Sequence, residues 1–125
     1  MVTTREQGEY TENIACQYLE NKGFKLIEKN FNCRVGEIDL IMKDNDSIVF
    51  VEVRYRRSNN FGSAAESITA SKQAKLIKTA SLYLQQHAKL NNYPTRFDVV
   101  SITGFIETTD INTINFDWIE NAFGA

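Results

Sequence analysis

Two apolar, β-branched runs separated by a short polar cluster constrain this chain more than any other feature. The runs are Gly36-Glu37-Ile38-Asp39-Leu40-Ile41-Met42 and Ile48-Val49-Phe50-Val51-Glu52-Val53-Arg54, with Asp44-Asn45-Asp46-Ser47 between them. This is a strand-turn-strand signal, and Asn45 and Asp46 are residue types that tolerate the positive φ of a tight turn. Centring the turn there sets the register. Ile38, Leu40 and Met42 then face Val53, Val51 and Val49, which gives one fully apolar face. The other face sets Asp39 opposite Glu52 and Glu37 opposite Arg54. Two carboxylates placed opposite each other repel. A fold keeps them only with a cation between them or a proton on one. The hairpin therefore predicts a divalent-metal site along with a sheet.

Elements on either side follow from periodicity and caps. Thr4 with Gln7 reads as a capping box, Ile14, Ala15, Tyr18 and Leu19 as an apolar stripe, and Gly23 as a stop, so a helix is expected from about Thr4 to Lys22. Residues 24–33 read as a strand, 35–55 as the hairpin and 56–70 as a loop. A helix is expected over about Ser71–Lys89 and a strand over Arg96–Ile102. A short strand near Ile114–Asp117 and a helical turn over Trp118–Phe123 follow. The order α-β-β-β-α-β-β predicts an α/β fold, a single mixed β-sheet flanked by helices. The helix between two strands makes their pairing parallel through a right-handed crossover. The length of 125 residues suits one domain, residues 1–125.

Composition narrows the function. No apolar run reaches the length of a membrane span. The opening Met1-Val2-Thr3-Thr4-Arg5-Glu6 has no signal-peptide core, and Cys16 and Cys33 lack metal-ligand spacing, so a cytoplasmic location with reduced thiols is expected. His87 is the only histidine, which argues against a histidine-based triad or a zinc site. The net charge of −2 gives no global nucleic-acid signature. Locally, Arg54, Arg56, Arg57, Lys72, Lys75 and Lys78 make a modest basic group after the acidic pair, which would suit a phosphodiester; solvated surface charge is the plainer reading.

Asp39 followed by Glu52-Val53-Arg54 has the form of a hydrolytic magnesium site, which needs two or three carboxylates and a cation near the scissile phosphate. These stretches resemble the YraN-like family of small bacterial proteins. So do Phe61-Gly62, Ser71-Lys72-Gln73-Ala74-Lys75-Leu76, Arg96-Phe97-Asp98-Val99-Val100 and the helix pattern of Glu12, Ala15 and Leu19. That family in turn resembles the restriction-endonuclease-like fold of the PD-(D/E)xK nucleases and is similar to archaeal Holliday-junction resolvases. The resemblance implies Asp39, Glu52 and Glu12 as ligands of Mg2+ or Mn2+, with Arg54 where the motif has its catalytic lysine. Gln73 falls near a helix glutamine of some relatives, and its plainer reading is a surface residue. Arginine can bind a phosphate and stabilise developing charge, but it is effectively never deprotonated. A general base is then a carboxylate such as Glu37 or a metal-held hydroxide.

The expected function is a divalent-metal-dependent endonuclease, a hydrolase of DNA phosphodiester bonds, with branched or structured DNA as the preferred substrate. Arg54, Arg56, Arg57, Lys72 and Gln73 are the expected nucleic-acid contacts. DNA is the expected partner, no membrane is, and monomer or homodimer is left open. The alternative is a catalytically inactive nuclease-fold module that binds nucleic acid or a protein. Asp98 reads as a structural hydrogen-bonding residue. Tyr55, Phe61 and Tyr93 could stack on bases, although packing is the plainer role for each, as it is for Trp118.

Overall fold

The computed structural model describes residues 3–57, 68–106 and 114–124. Phe61 and Gly62 lie outside them. Helix α1 spans Thr4–Glu20, followed by strands β1 (Lys25–Cys33), β2 (Gly36–Asp44) and β3 (Ser47–Arg56). Helix α2 (Ala70–Gln86) and a short 3-10 turn (Ala88–Leu90) lead to β4 (Thr95–Thr103) and β5 (Asn115–Phe123). The five strands form one sheet in the order β1-β2-β3-β4-β5. All neighbours are antiparallel except β3 and β4, which are parallel across the α2 connection. This is the α/β order expected from the sequence.

Each face of the sheet buries its own apolar cluster. Ile14, Ala15 and Leu19 of α1 pack on Leu40, Met42, Val49, Val51, Val100 and Ile102. Leu76, Ala80 and Tyr83 of α2 pack on Ile41, Ile48, Phe50, Phe97 and Val99. Alternate residues of β3 thus serve opposite clusters, as the period of two requires. A strand buried on both sides reads as a continuous apolar run, which accounts for Ile48–Val51.

The helix ends show why the chain stops where it does. Thr3 caps α1, its hydroxyl accepting the Glu6 amide at 3.1 Å, so the cap lies one residue before the Thr4 expected. Gly23, at φ +100°, carries the chain out of the helix in a conformation that favours glycine. Thr69 caps α2 by accepting the Lys72 amide at 3.1 Å. That helix begins and ends slightly before the expected bounds.

The terminal helical turn expected over Trp118–Phe123 is instead the second half of β5. Ile119 and Phe123 lie opposite Val99 and Phe97 across an irregularity in the ladder. Asn121 has φ +53° there. Its amide, turned out of the ladder, donates to Asp98 Oδ1 at 2.9 Å, and Trp118 Nε1 donates to Asp98 Oδ2 at 3.0 Å. A buried carboxylate replaces the missing ladder bonds, which a local reading of Trp-Ile-Glu-Asn-Ala-Phe could not anticipate.

Candidate metal centre

The expected hairpin register holds from the turn as far as Leu40. Asp44 lies opposite Ser47, Met42 opposite Val49 and Leu40 opposite Val51, with Asn45 at φ +53° in the turn. There the pairing of β2 with β3 ends. Residues 36–38 of β2 stay paired with β1, from Cys33 and Gly36 to Phe31 and Ile38. Meanwhile β3 continues on β4 as far as Arg56 and Thr103. The sheet forks, and Asp39 and Glu52 stand at the fork.

The fork coincides with an irregularity in β1. Asn30 of β1 has φ +53°, and neither Asn30 nor Asp39 has a ladder partner between the flanking pairs Lys29–Leu40 and Phe31–Ile38. Side-chain alternation breaks at this step. Ile38 joins the α2 cluster, whereas Leu40 and Val53 pack with the α1 cluster. The expected apolar pairing of Ile38 with Val53 is therefore not made.

Asp39 and Glu52 are not ladder partners, yet their carboxyls are within hydrogen-bonding reach. Asp39 Oδ2 also accepts the Val53 amide at 2.8 Å. Glu12 of α1 reaches the same place, hydrogen-bonded to Asn30 and Asp39. Burial, and then the neighbouring Glu52 carboxyl, push the Asp39 pKa up to about 9. Burial is also the main cause that raises Glu12, with Glu37 and Glu52 adding to it. Carboxyls this close and this buried favour keeping a proton within the group at neutral pH.

Glu52 is buried, and its side chain is 8% exposed. Lys72 of α2 places Nζ 2.9 Å from Glu52 Oε2. The contact is an ion pair whose angles do not make a hydrogen bond, so Oε2 is buried without one. Glu37 is exposed and lines two cavities. One, of about 320 Å³, is bounded by Gly36, Thr69, Ser71, Lys72 and Lys75. The other, of about 360 Å³, is bounded by Arg5, Glu12, Asn30 and Asn32.

The donor set suits a hard divalent cation. Carboxylate oxygens are the ligands that Mg2+ and Mn2+ take, and Mg2+ is commonly held by one or two of them together with waters. The buried Oε2 of Glu52 has an acceptor site unfilled by any hydrogen bond, and the protonated Asp39 becomes a second anionic ligand once ionised. Among the described residues, no three His, Cys, Asp or Glu side chains converge as a ready-made cage. Glu12 and Glu52 flank Asp39, so the site offers a row of carboxyls in place of a closed shell.

The remaining expected contacts are placed as follows. Arg54 and Arg56 follow Glu52 at alternate positions of β3, and Arg57 lies over the Phe105 ring at 4.7 Å. Gln73 donates its amide to the Ile68 carbonyl at 3.1 Å, a bond that pins the start of α2. Tyr55 donates to the Gly104 carbonyl at 2.6 Å, and Tyr93 packs under Lys43, so both have packing roles. The strand motif singles out neither Asn30 nor the Lys72–Glu52 pair. Asn is a residue that tolerates positive φ, and its position within an otherwise regular strand is the one available signal.

The model of Uncharacterised protein family UPF0102 matches residues 11–102, which include the fork, helix α2 and the part of α1 that carries Glu12. The chain belongs to the UPF0102 family. It is the YraN-like family named from the sequence motifs. A UPF0102 protein of Nitrosococcus oceani is 49% identical over 121 residues, covering 97% of this chain and 94% of the relative. UPF0102 proteins of Stutzerimonas stutzeri and Nitrosomonas europaea are 47% and 46% identical, each covering 98% of both chains. No described helix of this UPF0102 chain is long and apolar enough to cross a membrane.

Proposed function

We propose that this UPF0102 chain is a divalent-metal-dependent endonuclease acting on DNA, with branched or otherwise structured DNA as its substrate. The observation that supports this most is the fork, where a partly buried Asp39 meets two further carboxyls and must hold a proton to remain there. Carboxyls held this close repel one another once ionised, whereas a divalent cation would be bound by them.

Asp39 and Glu52 would hold Mg2+ or Mn2+, with Glu12 beside them. When bound, the ion supplies Lewis acidity toward a phosphoryl oxygen. Arg54 donates to the phosphate and stabilises the charge that develops on it. Glu37, which is exposed and borders both cavities, would take a proton from the attacking water. Arg56 and Arg57 extend the basic surface along the DNA.

A second reading keeps the fold and the DNA but not the chemistry. Arg54 stands where the nuclease motif has lysine, and Lys72 already neutralises Glu52, and both features suit a binding module. Cleavage assays separate the two. Linear, flapped and four-way-junction DNA are incubated at low salt with Mg2+ or Mn2+. Cutting by the wild type that Glu52→Gln abolishes, with DNA binding retained, is the expected result. Binding without cutting by wild type and Arg54→Lys alike would leave only the binding module.

A further inference from the structure

The fork contains a lysine that the strand motif does not provide. Lys72 enters from the first turn of α2 and sets its ammonium 2.9 Å from the innermost carboxylate of the group. The two partners differ in freedom. The Glu52 side chain is 8% exposed and fixed within the sheet, while that of Lys72 is 41% exposed on a flexible four-carbon stem. The contact lacks hydrogen-bond geometry, so Oε2 remains available to a better ligand. Beside it lies the cavity of about 320 Å³, which Lys72 shares with Lys75, Ser71 and Thr69. Two ammonium groups and the hydroxyls of Thr69 and Ser71 there face the single carboxylate of Glu37, so a Lys72 released from Glu52 leaves a balance that favours an anion.

We propose that Lys72 is the working lysine of this site: it stands in for a divalent cation on Glu52, yields that carboxylate when the cation binds, and then holds a substrate phosphate in the adjoining cavity. This rests on the metal-dependent reading of the fork. It accounts for how the site tolerates arginine at position 54, since the mobile amine comes from helix α2. It also accounts for a buried carboxylate left without a hydrogen bond on Oε2. No bond is made or broken in the exchange; one cation replaces another on Glu52, and the ammonium moves to a second anion.

The test uses the full chain and manganese alone, followed by DNA. Mn2+ affinity is measured by electron paramagnetic resonance or calorimetry for wild type, Lys72→Met, Lys72→Arg and Glu52→Gln, with circular dichroism to confirm folding. Removing the competing ammonium should tighten Mn2+ binding in Lys72→Met about fivefold, the scale of one partly exposed ion pair. Lys72→Arg keeps a cation and should stay close to wild type. Binding of a four-way junction in Ca2+ at graded salt should weaken in Lys72→Met, and the slope of log affinity against log salt should fall by about 1. Unchanged Mn2+ affinity and salt slope in Lys72→Met, with Mn2+ binding lost in Glu52→Gln, would overturn this role of Lys72 and leave the metal site standing. Absence of Mn2+ binding in the wild type would remove both.

Discussion

Asp39 Oδ2 accepts the backbone amide of Val53 at 2.8 Å, just beyond the point where β2 and β3 part. Continued further, the hairpin ladder would have set Ile38 opposite Val53. The side chain of Asp39 takes up the amide released by the fork and so helps hold it open. The same contact fixes one oxygen of a carboxyl that also meets Glu52 and Glu12. Backbone topology and the acidic site are thus one construction.

Two substitutions at this position should behave oppositely. In Asp39→Asn the side-chain carbonyl can still accept the Val53 amide, and the new NH2 group can donate to a neighbouring carboxylate, as a protonated aspartic acid would. Asp39→Asn is therefore expected to be at least as stable as wild type at pH 8 without metal. Asp39→Ala leaves the amide unpaired and should cost about 1–3 kcal/mol. Urea titrations in EDTA measure both, and equal losses in the two variants would contradict the assignment.

The pH dependence has a definite sign. Asp39 is raised in the fold from 3.8 to about 9. Between those values the folded state binds a proton that the unfolded chain has released. The stabilisation associated with that proton is complete below about pH 4 and disappears as pH rises through about 9. Without metal, wild type should lose stability relative to Asp39→Asn from about pH 4 to about pH 9. Manganese needs the ionised group, so its stabilising effect should grow over the same interval. Parallel pH profiles for the two proteins in EDTA would show that Asp39 is ionised in the fold.

How much of this was legible in the sequence depends on how local its cause is. The hairpin turn, the register as far as Leu40 and Val51, and the helix stop at Gly23 follow from adjacent residues. The fork coincides with the positive φ of Asn30 on another strand, and the flip of Ile38 to the α2 cluster falls at the same step. Likewise, Trp118–Phe123 has no strand signature of its own; β4 and the Asp98 carboxylate make it a strand. The carboxyl partnership of Asp39 and Glu52 was visible as two like charges set face to face. The arrival of Lys72 was not, because it depends on where α2 begins in space.

Asp98 ties β4 to β5 through its carboxylate. Its fully buried carboxylate accepts from Arg96 Nε at 3.0 Å, from Trp118 Nε1 and from the Asn121 amide. Asp98→Ala removes these bonds and leaves Arg96 to Asp44 and Glu120. The loss should reach about 3–5 kcal/mol, seen in thermal melting as a drop of roughly 10 °C or more. Mn2+ affinity of the folded fraction should not change.

Position 54 separates charge from chemistry. Arg54→Ala should weaken DNA binding and lower the salt slope by about 1. Arg54→Lys should keep binding and retain or raise cleavage, since lysine is the residue of the nuclease motif there. Filter binding and gel assays at graded salt read both effects. Full binding by Arg54→Ala would place the phosphate elsewhere.

The most direct measurement is thermal melting of wild type and Asp39→Asn in EDTA and in manganese. A cation bound only by the folded state stabilises it by mass action, by about 2.7 kcal/mol at a concentration of about 100 Kd, and so raises the melting temperature. A rise of several degrees is expected in wild type, with none in Asp39→Asn. An equal rise in both proteins, or none in either, would contradict a divalent-cation site at the fork.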